Sequence, residues 1–282
     1  MNLKPDCLSC LLMQSLRVTK NLNLNEETSL KMMKLASESI AIYDGITPPV
    51  AAADLYPKLA KVIDSKDVYK ELKEFSTKEA MKLLPFVKKE VKSLGDAFKS
   101  AVAGNVIDFA TPHHFDLTSE FDKVFETDFT IDNENLFLEK LEIAKSLIII
   151  GDNVGEHVFD KLLLETISLH YPQIKLYYAV RGVPIINDVT LLEAKDIGME
   201  KVCTLVNSGV NTPGLDYLSA TPEFMSLYNK MDLVLAKGMG NYECLESMKD
   251  ERIFHLFKVK CEVVSKDVGA KLGSLIFMQN KL

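Results

Sequence analysis

Polar side chains follow four apolar runs in the second half of the sequence, at the points where buried strands would end. Asp152 and Asn153 come after the run at residues 147–150, separated from it by Gly151. Carboxylate and amide oxygens at such a point suit a hard cation such as Mg²⁺ or Mn²⁺ better than zinc. The polar groups after the other three runs lie at residues 181–188, 207–214 and 237–243.

The last of these groups contains residue types that serve phosphate. Lys237 supplies a positive point charge, and the glycines at positions 238 and 240 would let backbone amides approach an anion. A cation, a lysine and a glycine-rich turn together suit phosphoryl chemistry. Each piece alone has an ordinary explanation, because Asp and Asn after a strand commonly form turns or helix caps. The four strand ends taken together favour a functional site.

The elements that must position these residues begin near residue 141. From there, apolar runs alternate with helical patterns, which predicts βαβ units and a mainly parallel sheet with helices on both faces. Ligands of such sheets bind outside the carboxyl ends of the strands, so residues far apart in sequence can share one cleft. The runs lie at residues 147–150, 176–180, 202–206, 233–236, 253–259 and 275–277.

The first half of the chain shows helical spacing of apolar residues and no strand pattern. Pro85 is expected to kink or divide a helix predicted over residues 68–91. Residues 111–135 are polar and aromatic, and we interpret them as a long connection, with a short helix inside it as an option. The sequence therefore predicts an α/β protein with an all-helical domain at residues 1–140 and a sheet domain at residues 141–282.

Composition limits the kinds of binding partner and the cellular setting that we expect for the protein. The 282 residues carry a formal charge of −7 and show no basic cluster, which argues against nucleic acid. No apolar run approaches the roughly 20 residues that span a bilayer, and no convincing signal peptide is present. Five cysteines, an odd number, do not suggest a disulfide framework. We expect a reducing, cytoplasmic setting and no membrane association.

Cys7 and Cys10 form a C-x-x-C pair that has more than one explanation. On a helix they share a face, and free cysteines are most often buried, so core packing comes first. A structural zinc site would need Cys261 or Cys244 as further ligands. A redox pair is a third possibility.

Several familiar motifs are absent. Gly151 and Gly155 do not have dinucleotide-site spacing, and neither a Walker A motif nor a G-x-S-x-G elbow occurs. The histidines lack zinc-protease spacing. We interpret His157 and His255 as surface groups or as groups behind a site, and His113 and His114 as loop polarity.

In order along the chain, the motifs resemble those of the metal-dependent damage-control phosphatases, also called the acidic-residue methyltransferase-like family. The resemblance covers nearly the whole chain. The C-x-x-C pair and residues 104–108 match the family's small archaeal and bacterial branch. The segments that carry the resemblance are residues 151–156, 181–188, 212–214, 236–243 and 258–261.

The resemblance implies a helical N-terminal part followed by a Rossmann-like α/β/α domain that carries the metal site. It implies that Asp152, Asn153 and Asp188 bind a divalent metal, with Mn, Mg, Co and Ni as candidates. Lys260 matches the family's phosphate-binding lysine, and Asp152, Asp188 and Lys260 are the expected catalytic residues. The residues expected to line the substrate site are Asn105, Glu156, Lys237, Asn241 and Lys260.

The implied activity is metal-dependent hydrolysis of small phosphorylated metabolites, such as sugar phosphates or phosphopantetheine-like compounds. Either a metal-bound water attacks, or Asp152 or Asp188 attacks to form a phosphoaspartate; Glu156 would position a substrate hydroxyl. Carboxyl methyl transfer is an alternative, disfavoured because the first strand ends in Asp-Asn and the second in Arg181. Binding of a phosphometabolite without turnover is another.

Overall fold

Helices form most of the first part of the chain. The computed structural model describes residues 1–106 and 117–281, without the side chains of residues 105–106, 117–120 and 122. The predictions for the Asn105 side chain, His113 and His114 therefore lie outside the described residues. The helices are α1 (Pro5–Asn21), α2 (Glu26–Ile40), α3 (Pro48–Val62), α4 (Lys70–Glu90), α5 (Leu94–Val106) and α6 (Leu117–Glu126).

Local sequence explains where several of these helices begin. Pro5 opens α1, where its missing N–H costs nothing, and the Asn25 side chain accepts a hydrogen bond from the Thr28 N–H at 2.8 Å to cap α2. Pro85 lies inside α4 without dividing it. Apolar faces of α1, α2 and α3 pack together through Leu11, Val18, Met32, Ala36 and Leu55.

A seven-stranded sheet follows, which confirms the mixed α/β class with a mainly parallel sheet. Its strands are β1 (Phe129–Asp132), β2 (Ser146–Ile150), β3 (Lys175–Val180), β4 (Thr204–Asn207), β5 (Leu233–Lys237), β6 (Ile253–Lys258) and β7 (Leu275–Gln279). Their spatial order is β1-β7-β6-β5-β2-β3-β4, and among the strand pairs of the described residues only β6–β7 is antiparallel. The intervening helices are α7 (Glu134–Ile143), α8 (Glu156–His170), α9 (Leu191–Asp196), α10 (Pro222–Tyr228), α11 (Gly238–Leu245) and α12 (Glu262–Val268).

The direction of winding reverses between β2 and β5. From β2 the chain moves outward through β3 and β4, and it then crosses back to place β5 on the other side of β2. Crevices at such switch points, outside the carboxyl ends of the strands, are where ligands bind in open α/β sheets. Asp152 and Lys237 lie at this crevice, as the strand-end argument predicted.

Strand β1 was not foreseen. It lies within the segment predicted as a connection and pairs in parallel with β7 at the edge of the sheet. With four residues, of which only Phe129 is buried, it is too short to show a strand period. A strand of the sheet thus precedes the predicted boundary at residue 140, and the division into two domains stays a prediction.

Two of the contacts between the helical part and the sheet part lie close to the predicted site. The buried Lys73 of α4 lies 3.0 Å from Asp67 and 3.2 Å from Glu193, which caps α9 just after the Asp188 loop. Helix α5 packs on α8, and a Cβ on Gly104 would lie 2.8 Å from the Cα of Glu156. Glycine is therefore needed where these two helices meet. Among the described residues, no helix combines the length and apolar character required to cross a membrane.

The Gly104–Glu156 contact gives a test of this packing. Alanine is favoured over glycine in helices by about 1 kcal/mol, yet Gly104→Ala should lower the free energy of unfolding by about 1–3 kcal/mol through overpacking. Chemical denaturation measures the change. Gly95→Ala in the same helix is the control, because its Cβ would meet only the flexible end of Glu134. Equal stability changes in the two variants would contradict the packing argument.

Candidate metal and phosphate site

Backbone hydrogen bonds join the loops that follow β2 and β3. The Val154 N–H donates to the Asn187 carbonyl at 2.8 Å, and the Val189 N–H donates to the Asp152 carbonyl at 2.9 Å. Asn153 and Asp188 form an isolated antiparallel bridge between these bonds. The three residues predicted as metal ligands, Asp152, Asn153 and Asp188, are therefore brought together from two strand ends.

Arg181 fixes one of these carboxylates. Its Nε donates to Asp188 Oδ2 at 2.7 Å, and its Nη2 lies 3.9 Å from Asp152 Oδ1. The guanidinium is almost wholly buried, and neither Nη atom has a hydrogen-bond partner in the described part of the chain. Arg181 is thus a buried cation between the two aspartates.

The Asn153 side chain has a defined orientation. Its Nδ2 donates to Asp152 Oδ2 at 3.0 Å and to Glu156 Oε1 at 2.9 Å. Both amide hydrogens are thereby used, and Oδ1 points away from these two acceptors. An asparagine binds a cation through this oxygen, and contact of Asn153 Oδ1 with a metal stays a prediction.

Lys237 lies deeper than the sequence suggested. Its side chain is wholly buried, and its Nζ donates to Asp160 Oδ1 at 2.6 Å and to the Ala101 carbonyl at 2.9 Å. The same nitrogen is 3.9 Å from Glu156 Oε2. Burial disfavours the charge on Lys237, but the carboxylates of Asp160 and Glu156 outweigh it and raise its pKa. Direct contact of Lys237 with phosphate stays a prediction.

Asn241 connects backbone segments. Its Nδ2 donates to the Gly151 carbonyl at 3.0 Å and to the Lys237 carbonyl at 2.6 Å, while its Oδ1 accepts from the Leu215 N–H at 2.7 Å. These bonds tie the ends of β2 and β5 to the loop after β4. They give the buried Asn241 a structural role, and contact with a substrate remains a prediction.

Lys260 is the exposed cation of the predicted set. Its backbone N–H donates to the sulfur of Met239 at 3.1 Å, which places the residue beside the first turn of α11. Its charge acts to lower the pKa of Glu156, so the ammonium is electrostatically coupled to the site. Among the predicted lysines, Lys260 is therefore the one that can meet a ligand from solvent.

The buried ionisable groups include more carboxyl groups than cations. The buried carboxylates here are Asp152, Glu156, Asp160 and Asp188, and the buried cations are Arg181 and Lys237. If all are ionised, four negative charges face two positive ones. One divalent cation would balance the difference.

The pKa values reflect this imbalance. Burial raises the pKa of Glu156 and of Asp188, and in both cases the nearby Asp152 carboxylate adds to the shift, while Lys237 and Arg181 respectively oppose it. No group of three or more His, Cys, Asp or Glu side chains in the described ranges is arranged to hold a metal. The predicted ligands are two carboxylates and an amide, and that donor set fits a hard divalent cation.

Sequence reasoning used Arg181 only as an argument against methyl transfer, and it assigned no role to Asp160 or Tyr178. The Tyr178 hydroxyl donates to Asp160 Oδ2 at 2.8 Å, which gives the Lys237 counter-ion a second partner. One signal was present, because Asp160 follows Glu156 by four residues on α8 and so lies on the same helix face. Nothing in the sequence indicated that Tyr178 points to this side of the sheet.

Two of the described histidines lie in the core, and the Cys7–Cys10 pair is divided between the core and the surface. His157 and His255 are wholly buried, so the surface interpretation was wrong, and burial lowers the pKa of each to about 4. Cys7 is buried and Cys10 is exposed, and both are free thiols. Core packing therefore explains the position of Cys7, but it does not explain the exposed Cys10.

A known protein family matches nearly the whole chain. The chain belongs to the damage-control phosphatase ARMT1-like domain family, whose model matches residues 3–276. It is similar to a damage-control phosphatase from Pyrococcus horikoshii, with 32% identity over 287 residues that cover 100% of this chain and 99% of that protein. A damage-control phosphatase from Archaeoglobus fulgidus is 29% identical, with 98% of each chain covered.

A solved structure shares the fold. A DUF89 family protein from Pyrococcus horikoshii matches with a TM-score of 0.94 and 32% identity, and the match covers 100% of both chains. The helical first part and the switch-point crevice therefore belong to an established architecture.

The turn after β5 offers a test of the site's geometry. Gly238 has a φ of +78°, and a Cβ there would overlap the Asp152 carboxylate. Gly238→Ala should lower the free energy of unfolding by at least about 1 kcal/mol more than Gly269→Ala does. The control has a similar φ of +73° and no atom within 4 Å of its Cβ, so it isolates the backbone strain. Similar losses in denaturation experiments on both variants would contradict the overlap.

Proposed function

We propose that the protein is a divalent-metal-dependent phosphatase that hydrolyses small phosphorylated metabolites in metabolite damage control. Sugar phosphates and phosphopantetheine-like compounds are the proposed substrates. The observation that carries the proposal is the convergence of Asp152, Asn153 and Asp188 at the switch point of the sheet. The names of the relatives from Pyrococcus and Archaeoglobus support phosphatase chemistry.

The proposed metal ligands are the side-chain oxygens of Asp152, Asn153 and Asp188. A divalent cation held there would polarise a phosphoryl oxygen and lower the pKa of a bound water. Arg181 keeps the Asp188 carboxylate in place through its 2.7 Å hydrogen bond. Exposed Lys260 would bind and neutralise the phosphoryl oxygens as they enter from solvent. Manganese, magnesium, cobalt and nickel remain the candidate metals.

Phosphate release from a substrate panel tests this function. Protein stripped with a chelator should be inactive toward p-nitrophenyl phosphate, sugar phosphates and phosphopantetheine, and at least one of the four metals should restore turnover. Asp152→Asn should lower kcat/KM by at least about 100-fold, because metal stabilisation of the transition state amounts to several kcal/mol. Asp196→Asn, which changes an exposed aspartate at the end of α9, should leave kcat/KM unchanged.

Two results would overturn the proposal. Full turnover by chelator-treated protein would remove the metal requirement, and wild-type kcat/KM in Asp152→Asn would remove the ligand assignment. If no compound is hydrolysed but one raises the Tm in the presence of metal, the protein binds a phosphometabolite without turnover.

A further inference from the structure

A continuous row of polar contacts runs from the core of the sheet to the Asn153 amide. Tyr178 donates to Asp160 at 2.8 Å, and Lys237 donates to the other oxygen of Asp160 at 2.6 Å. Lys237 then approaches Glu156 at 3.9 Å, and Glu156 accepts from Asn153 Nδ2 at 2.9 Å. The first three side chains are wholly buried, so the row is fixed at its inner end.

From this geometry we infer that Glu156 is a positioning residue for the metal site, held by Lys237, Asp160 and Tyr178. Its function is to accept the Asn153 amide hydrogen and so direct Asn153 Oδ1 toward the cation. The inference rests on the proposed function, because it needs Asp152, Asn153 and Asp188 to bind a metal.

The exposure of Glu156 supports this role over contact with a substrate hydroxyl. Only 2% of its surface is accessible, whereas Asn153 is half-buried at the crevice. Its backbone is fixed as well, since the Gly104 position of α5 packs directly on its Cα. A side chain enclosed in this way offers little surface to a substrate but a constant position to its neighbour.

The orientation of an asparagine amide decides whether it can bind a cation at all. Its nitrogen carries two hydrogens and no available lone pair, so only the oxygen is a ligand. Two acceptors, Asp152 Oδ2 and Glu156 Oε1, keep the nitrogen on the side of the carboxylates. Without Glu156, one of the two bonds that select this orientation is lost. Partners behind a metal ligand commonly change metal affinity by about 10- to 100-fold.

Titration calorimetry of the full chain with Mn²⁺ tests the inference without any turnover. Glu156→Leu should weaken the Mn²⁺ Kd by about 10- to 100-fold, because leucine cannot accept the amide hydrogen. Glu156→Gln should stay within about threefold of wild type, because its amide oxygen still accepts from Asn153.

The two variants separate hydrogen bonding from charge. Equal weakening in Gln and Leu variants would mean that Glu156 attracts the metal only through its charge, and this would overturn the inference. Wild-type affinity in both would assign Glu156 no part in metal binding and would also overturn it. Wild-type protein that fails to bind Mn²⁺, Mg²⁺, Co²⁺ or Ni²⁺ would instead refute the proposed function, and the inference with it.

A milder pair of variants keeps the test decisive if Glu156→Leu does not fold. Tyr178→Phe removes one hydroxyl and leaves Asp160 with a weaker hold on Lys237, so the Mn²⁺ Kd should rise by about three- to fivefold. Tyr177→Phe changes the neighbouring residue of β3, whose side chain points to the other face of the sheet, and should have no effect. Equal Kd values in the two variants would overturn the role given to Tyr178 and Asp160.

Discussion

The switch-point crevice contains more buried carboxyl groups than buried cations. Asp152, Glu156, Asp160 and Asp188 face Arg181 and Lys237 in a region that water scarcely reaches. Buried carboxylates without a counter-charge are costly, and this cost raises the pKa of Glu156 and of Asp188. A divalent cation would supply the missing charge, so metal binding and the stability of this arrangement are coupled.

The two buried cations have different tasks. Arg181 contacts Asp188 directly and lies near Asp152, so it acts on the proposed metal ligands themselves. Lys237 contacts Asp160 and approaches Glu156, so it acts one residue farther from the proposed metal ligands. Each aspartate or glutamate in the crevice therefore has a neighbouring side chain that holds it in place. The side chains proposed to bind the metal thus keep their orientation before a metal or a substrate binds. Such preorganisation is what an electrostatic catalyst needs.

Backbone geometry allows the charged side chains of the crevice to lie so close together. The loops after β2 and β3 are joined by main-chain hydrogen bonds, which place Asn153 opposite Asp188. The left-handed Gly238 leaves room for the Asp152 carboxylate at the end of β5, and Gly104 lets α5 reach the start of α8. The helical first part thus contributes to the site by packing on Glu156.

Much of this arrangement could be predicted from the sequence. Apolar runs that alternate with helical patterns predict a parallel sheet. In such a sheet the polar residues after each strand lie at one edge. The sequence therefore predicted that Asp152, Asn153 and Asp188 would lie close together. The depth of Lys237 and Asn241 could not be predicted, because it depends on packing of α5 and of the loop after β4. The pairing of Tyr178 with Asp160 depends likewise on the side to which one strand residue points. Strand β1 was not predicted because its pairing with β7, rather than an apolar pattern of its own, defines it.

The proposed function requires that a divalent cation bind among Asp152, Asn153 and Asp188. The most direct measurement is an anomalous difference map, at the manganese absorption edge, from a crystal of the protein grown with Mn²⁺. One strong peak is expected at the carboxyl end of β2, within about 2.0–2.6 Å of oxygens from all three side chains. A map without a peak there, or with its peak on other residues, would contradict the proposed metal site.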